Sequence, residues 1–244
     1  KDIILINQCN IYKYYQNFEI NDIDILIDNE YAQKKYKDIN GKYKYDENSK
    51  NCEESQSLSY ELKKLFSFYW NFSKEGIHDI KIIFKKNLFS CDKMFLNCSQ
   101  IIDIDCSHFN CSQVVSCSGM FKNCSLLKKI NFVELAFSIV SYFDRMFYGC
   151  KNLINLNVSK FNSSKCESIE FMFYDCQNIT QINMLDFDMS NIKYKKYFIF
   201  GRGGIEGLFC RCRKLKLIKM NLNFKDIENL LVSKSFFSYG RNVE

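Results

Sequence analysis

Apolar residues recur along the chain with a period of 26 residues. A Met-Phe pair is followed, three residues after the Phe, by a Cys. The copies begin at Met94, Met120, Met146 and Met172, and a variant begins at Leu208. The last step is 36 residues, which is one period plus ten inserted residues. Self-similarity of this length is typical of proteins whose repeats stack on one another, because one unit cannot bury its apolar face alone.

Each unit contains two local patterns. Leu153, Leu156 and Val158 end in the alternation of a short strand. A second group has the i, i+3, i+4, i+7 spacing of one helix face, and its members are Ile169, Met172, Phe173 and Cys176. The polar stretch 162–164 between them predicts a turn, and Ser164 and Glu167 have the spacing of a capping box at a helix start. The unit is therefore predicted to be strand, turn and short helix, and the fold class an α/β repeat solenoid.

The repeat divides the chain into regions. We expect about six 26-residue units over residues 68–237, with an insertion near 194–207 and a C-terminal tail at 238–244. Residues 1–67 lack the repeat and are interpreted as an N-terminal cap or small side domain. Within them, strands are expected near 3–6 and 23–27, a polar loop over 34–50 and a helix over 55–65.

The repeat resembles that of the BspA-like leucine-rich-repeat surface proteins. The resemblance rests on the strand pattern Leu153-x-x-Leu156-x-Val158, the polar turn and the Met-Phe-x-x-Cys motif, and it covers about residues 68–237. It implies a right-handed, leucine-rich-repeat-like stack with a parallel sheet on one face and short helices on the other. It also implies a cell-surface protein used for adhesion or interaction, and it transfers no catalytic residues.

Composition adds few constraints. The 244 residues include 23 Phe, 13 Cys and no Pro, with a formal net charge of +6. That charge permits an acidic partner without requiring one. No apolar window reaches the length of a membrane span, so we expect no transmembrane segment.

The cysteines fall into two groups. Five share the repeat position that closes each motif, where we expect small buried side chains; they are Cys98, Cys124, Cys150, Cys176 and Cys212. Elsewhere, Cys91 with Cys117 and Cys9 with Cys52 are candidate disulfides, and Cys106 and Cys111 are close enough in sequence for a local bridge. A zinc site at Cys106, Cys111, Cys117 and His108 is disfavoured, because these spacings are not the tight pairs of structural zinc sites.

The repeat region is rich in N-glycosylation sequons. The candidate acceptors are Asn71, Asn97, Asn110, Asn123, Asn157, Asn162 and Asn178. One interpretation is a secreted glycoprotein with N-linked glycans in columns. The other is that the turns of this repeat favour Asn and Ser and were duplicated with the unit.

Three surfaces are candidates for binding. The insertion carries aromatic and basic residues in a glycine-rich segment, and its candidate contact residues are Tyr197, Phe198, Phe200 and Arg202. The outward residues of the sheet form a polar face that runs from Asp103 to Lys219. A basic run over 193–219 suits an anionic surface, but a solvated face is the simpler interpretation and no nucleic-acid partner is expected.

These features favour a non-enzymatic extracellular protein-interaction or adhesion module. The alternative is a structural subunit of a larger assembly or filament. The alternative location is intracellular, as an assembly subunit. The partner would be another protein or a second copy of the chain. His78 and His108 fall in no recognisable catalytic triad, and no cofactor or metal is expected.

Overall fold

The structure is a computed structural model. It describes residues 76–132, 137–192 and 204–221, together with six short strands nearer the N-terminus. Those strands are β1 (Ile3–Asn7), β2 (Ile23–Ile27), β3 (Glu30–Tyr31), β4 (Lys34–Lys37), β5 (Tyr43–Asp46) and β6 (Ser67–Asn71).

The N-terminal strands pair in antiparallel fashion. β1 pairs with β6, β4 with β5, and β2 with both β3 and a further strand, β7 (Ile80–Phe84). The strands expected near 3–6 and 23–27 are thus confirmed. The loop expected over 34–50 is wrong in part, because β4 and β5 form a hairpin there. The helix expected over 55–65 lies outside the described residues.

The 26-residue units form a ladder of short parallel strands that is divided into two sheets, one of two strands and one of three. The strands are β8 (Asp103–Asp105), β9 (Lys129–Asn131), β10 (Asn155–Asn157), β11 (Gln181–Met184) and β12 (Leu217–Met220). Asn155 pairs with Gln181, one period away, and Gln181 pairs with Leu217, 36 residues away. The ten inserted residues therefore leave the register on both sides intact. This confirms the parallel strands of a repeat fold.

A second parallel ladder links the same units. Isolated bridges join Ser90, Ser116, Tyr142, Ser168 and Gly204 in that order. Parallel pairing of the repeats begins at Ser90, whereas β6 and β7 before it pair antiparallel with the N-terminal strands. Because equivalent residues pair in both ladders, each repeat position becomes a column of side chains along the stack.

The short helices that the spacing predicts are a wrong prediction: the described residues contain strands, bridges and turns, but no helix. In the unit around Phe147, some backbone amides donate to a carbonyl of their own unit and others donate to a carbonyl of the next repeat. The amide of Cys150 donates to the Phe147 carbonyl (3.1 Å), whereas that of Phe147 donates to the Met172 carbonyl of the next repeat (2.9 Å). Left-handed residues at Arg145 (φ 57°) and Gly149 (φ 72°) interrupt any helix. Successive three-residue turns bury the same i, i+3, i+4, i+7 positions as a helix would.

Side-chain turns form the corners of each unit. The Asn157 side-chain oxygen accepts the amide of Ser159 (3.0 Å), and that of Asn162 accepts the amide of Ser164 (3.2 Å). Asn favours this local hydrogen bond over continued regular structure. Ser164 is therefore a turn residue bonded to Asn162, and the capping box that its spacing with Glu167 predicts is not formed.

Columns of large apolar side chains fill the core. The rings of Phe95, Phe121, Phe147, Phe173 and Phe209 stack in order, with centroids 5.4, 5.7, 5.8 and 5.6 Å apart. Their interplanar angles are 9° or less. All five are buried. Burial of such rings is the largest favourable contribution to stability that the repeat offers.

Candidate interaction surface

The residues on either side of each Met-Phe pair form two columns whose side chains are half-buried or exposed, except at the buried Gly119, Gly207 and Cys210. The column before Met contains Lys93, Gly119, Arg145, Phe171 and Gly207. The column after Phe contains Leu96, Lys122, Tyr148, Tyr174 and Cys210. Met and Phe point into the core, so their neighbours on the turn are directed toward the surface. Cations and aromatic rings therefore meet on one face.

Two tyrosines lie between two cations in this face. The rings of Tyr148 and Tyr174 stack with centroids 4.7 Å apart and an interplanar angle of 10°. The Lys122 ammonium lies 4.9 Å from the Tyr148 centroid, and the Arg211 guanidinium lies 5.4 Å from the Tyr174 centroid. These distances are within the range of cation–π attraction.

A second cation–π pair lies beside the first. The Arg145 guanidinium is 5.0 Å from the Phe171 centroid. The Phe171 ring meets Tyr174 edge-on at 5.8 Å and covers Gly207, where a β-carbon would overlap it. We call these six residues the cation–aromatic strip: Lys122, Arg145, Tyr148, Phe171, Tyr174 and Arg211.

Carboxylates near the strip are engaged within the fold. Asp144 accepts hydrogen bonds from the Ser168 hydroxyl and from the amide of Glu170 (2.9 Å). Asp92 accepts equivalent bonds from the Ser116 hydroxyl and from the amide of Ser118 (2.8 Å). These bonds tie both carboxylates to the next repeat, and Asp144 is also attracted by the charge of Arg145.

Electrostatics in the strip reflect crowding of positive charge. Partial burial, followed by repulsion from Arg145 and Lys93, lowers the pKa of the Lys122 ammonium. Desolvation raises the pKa of the Tyr174 phenol, and the Arg211 charge opposes that effect. Desolvation also raises the pKa of Asp144, against the hydrogen bonds from Ser168 and Glu170. An anion bound over the strip would relieve the repulsion at Lys122.

The candidate contact residues of the insertion near 194–207 lie outside the described residues. Tyr197, Phe198, Phe200 and Arg202 fall within 193–203, so their role stays a prediction. The same holds for the pair Cys9 and Cys52.

The repeated cysteines are buried thiols with a defined partner. Four of the five sulfurs donate to the carbonyl of the Phe in the preceding repeat: Cys124 to Phe95 (3.1 Å), Cys150 to Phe121 (3.1 Å), Cys176 to Phe147 (3.1 Å) and Cys212 to Phe173 (3.0 Å). Burial raises the pKa of the Cys212 thiol to about 12. The thiols are therefore hydrogen-bond donors in the core and weak nucleophiles.

A second group of buried thiols lies near the first bridge. Cys91, Cys106, Cys111 and Cys117 are buried, and Cys91 interacts with each of the other three. Within the described ranges, no group of three or more His, Cys, Asp or Glu side chains is arranged to hold a metal ion. His108 is exposed.

The sequon asparagines are unequally accessible. Asn97, Asn110, Asn157 and Asn162 are exposed, whereas Asn123 and Asn178 are half-buried. The Asn123 amide donates to the Asn97 oxygen (2.9 Å) and that of Asn178 to Asn152 (3.0 Å). Asn71 ends β6, and its side chain lies outside the described set. Glycosylation itself stays a prediction.

The outward sheet residues lie at the surface, as the alternation predicts. Asp103, Asn155, Gln181, Leu217 and Lys219 are exposed. The face holds hydrogen bonds of its own, from Asn131 to Asp105 (3.0 Å) and from Thr180 to Asn155 (2.9 Å). Among the described residues of the basic run, Arg211 alone joins the strip.

The apolar positions that define the repeat do not predict the strip. Its signal lies in the variable positions on either side of Met-Phe. Aligning those positions gives Lys122, Tyr148 and Tyr174 in one column and Arg145 and Phe171 in the other.

One comparison with known proteins gives a match. Residues 89–202 match the model of a family described as "Mycoplasma protein of unknown function, DUF285". The matched segment begins next to Ser90, where parallel pairing of the repeats begins. No curated protein and no solved structure matches the chain. Among the residues that the structure describes, no helix is long and apolar enough to cross a membrane.

Proposed function

We propose that this protein is a non-enzymatic protein-interaction module and that its cation–aromatic strip binds an acidic segment of a partner protein. The supporting observation is the arrangement of Lys122, Tyr148, Tyr174 and Arg211, in which two stacked rings lie between two cations. Tyrosine and arginine are enriched among the residues that dominate protein–protein affinity.

The strip is preorganised by the fold beneath it. Except for Arg211, its side chains stand on turns whose amides bond to the next repeat, as for Arg145 to Glu170 (2.8 Å) and Gly149 to Tyr174 (2.8 Å). Stacking of Tyr148 on Tyr174 further restricts both rings. Side chains already ordered lose little conformational entropy on binding, and this favours affinity.

The positive charge of the strip supports an acidic partner. Desolvation, and then repulsion from Arg145 and Lys93, lowers the pKa of Lys122. Asp92 and Asp144 accept hydrogen bonds within the fold, although Asp144 is also attracted by Arg145. An acidic segment would add counter-charge, and its attraction to the strip should weaken as salt increases.

The wider architecture and location belong to the same proposal. We infer a leucine-rich-repeat-like solenoid of the BspA type, supported by two parallel ladders with a 26-residue register. An extracellular or cell-surface location is supported by the exposed sequons at Asn97, Asn110, Asn157 and Asn162. A solenoid presents repeated positions as an extended surface, which suits an elongated partner segment.

A peptide-binding measurement tests the proposal. A fluorescein-labelled deca-glutamate peptide would be titrated with the full chain at low and physiological salt, with fluorescence anisotropy as the readout. We expect the double variant Lys122→Gln/Arg211→Gln to bind about tenfold more weakly, the equivalent of about 1.4 kcal/mol.

The matched control is Lys129→Gln/Lys219→Gln, which removes the same charge from the sheet face. It should bind within about twofold of the wild type. Equal weakening of both double variants would mean that only net charge matters and would overturn the proposed site. Absence of binding by the wild type would overturn it as well.

A further inference from the structure

Cys91 and Cys117 occupy one column at the first bridge of the stack. They directly follow Ser90 and Ser116, which pair in parallel. The Cys91 amide donates to the Ser116 carbonyl (2.8 Å), so the two backbones lie side by side. The column continues with the apolar residues Phe143, Ile169 and Ile205. Cysteine therefore occupies this core position only in the first two units of the column.

The two thiols are fully buried in one column, whereas those of the Met-Phe-x-x-Cys column bond to the backbone. Proximity to Cys91 contributes to the raised pKa of Cys117, and Cys124 and Cys150 each donate to a backbone carbonyl. Neighbouring parallel strands lie about 4.8 Å apart. This separation falls within the range of about 4.4–6.8 Å found between α-carbons of disulfide-bonded cysteines.

We propose that Cys91 and Cys117 are a redox pair that forms a disulfide between the first two repeats. The oxidant is a low-molecular-weight disulfide such as oxidised glutathione. One thiolate attacks it, which releases one reduced thiol and leaves a mixed disulfide on the protein. The second cysteine then displaces the other thiol. Two S–H bonds are lost from the protein, one S–S bond forms, and the oxidant takes up two electrons and two protons.

Burial controls when this reaction occurs. Both side chains are fully buried. Desolvation, and then the proximity of Cys91, raises the pKa of Cys117 well above its ordinary value. Since the thiolate is the attacking species, the folded pair reacts slowly. Oxidation should proceed during folding or when the first units open, and the finished bond should then hold these units together.

Peptide mapping of the intact chain tests the pair without any variant. The full chain would be refolded in a glutathione redox buffer, its free thiols alkylated, and the product digested with trypsin. Trypsin releases Cys91 on peptide 87–93 and Cys117 on peptide 94–122, which also carries Cys98, Cys106 and Cys111. Fragmentation of the linked pair by tandem mass spectrometry assigns the partner of Cys91.

We expect Cys91 linked to Cys117, with Cys124 and Cys150 alkylated as internal controls. Oxidised protein should also melt several degrees higher than reduced protein, because the bond restrains the unfolded chain. Alkylated Cys91, or Cys91 linked to Cys106 or Cys111, would overturn the proposal. A bond that forms without raising the melting temperature would overturn its role in holding the two units together.

Discussion

The sulfur of Cys150 donates a hydrogen bond to the carbonyl oxygen of Phe121 in the preceding repeat, at 3.1 Å. The same carbonyl accepts the amide of Cys124 in its own repeat, also at 3.1 Å. One carbonyl therefore closes a turn within its unit and joins that unit to the next. This dual role explains why a small side chain with a weak donor recurs at this core position.

Replacing Cys150 with Ala should destabilise the protein measurably. Cys150 is fully buried, so the change removes both sulfur packing and a donor. We expect the free energy of unfolding to fall by about 1–3 kcal/mol in urea denaturation. The control Ile154→Ala, at a side chain 48% exposed, should change it by less than about 0.5 kcal/mol. Equal losses for the two variants would contradict the role of the thiol.

The repeat and its core were predictable from sequence, because burial requires only that apolar residues return at a fixed spacing. Met146, Phe147 and Cys150 are buried as that spacing predicts. Spacing alone does not distinguish a helix from successive turns, since both bury the same positions. Asn97, Asn123 and Gly149 occupy one repeat position, and all three have the positive φ of the left-handed conformation, which rules out a continuous helix there. These φ values are visible only in the structure.

The candidate site was less predictable than the core. The outward sheet residues followed from alternation alone, as Asn155 and Gln181 show. By contrast, the strip depends on positions outside the apolar pattern that defines the repeat. The Lys122 ammonium and the Tyr148 ring occupy one repeat position, 26 residues apart, whereas Arg211 reaches the Tyr174 ring from a neighbouring position, and only the structure shows this contact.

The loss of unfolding free energy on replacing a Phe of the stack with Leu should depend on the position of that Phe in the stack. Phe147 contacts Phe121 and Phe173 at 5.7 and 5.8 Å, whereas Phe95 stacks on Phe121 at one end. We expect Phe147→Leu to cost about 1–2 kcal/mol more than Phe95→Leu. Chemical denaturation of both variants checks this. A larger loss at Phe95 would contradict the stacked core.

Substituting Gly207 tests how closely Phe171 approaches the backbone. A β-carbon at Gly207 (φ +62°) would overlap the Phe171 ring, whereas one at Gly119 (φ +64°) would lie 3.4 Å from the Lys93 side chain. Both changes strain the backbone by about 1 kcal/mol, but only Gly207→Ala must also displace the ring. The difference in unfolding free energy between the two alanine variants therefore isolates the clash. Equal values would show that Phe171 does not cover Gly207.

Ionisation of the Asp144 carboxyl should lower the free energy of unfolding as pH rises. Its folded pKa is raised by desolvation, so the folded state holds the proton more tightly than the unfolded chain. Its unfavourable contribution is absent below the unfolded pKa and fully present above the folded pKa. Asp144→Asn retains an acceptor oxygen for Ser168 and should therefore stabilise the protein at pH 7 but not at pH 3. Urea midpoints at both pH values provide the measurement.

Asp105 provides a control of opposite sign. Hydrogen bonds from Ser107, first from its amide, lower the pKa of Asp105. Its favourable contribution is present above the unfolded pKa and is lost as pH falls through the folded pKa. Asp105→Asn should therefore not stabilise the protein at pH 7. A gain in stability at pH 7 for both variants would indicate a general effect of removing negative charge and would contradict the assignment to Asp144.

The most direct measurement is a map of where an acidic peptide binds. The full chain, labelled at tyrosine rings and backbone amides, would be titrated with unlabelled deca-glutamate and followed by NMR. The account predicts that the resonances of Tyr148, Tyr174 and Arg211 shift together in one saturable transition, while those of Asn155 and Gln181 on the sheet face stay unchanged. Shifts centred on Asn155 and Gln181, or no saturable shift at Tyr148 and Tyr174, would contradict it.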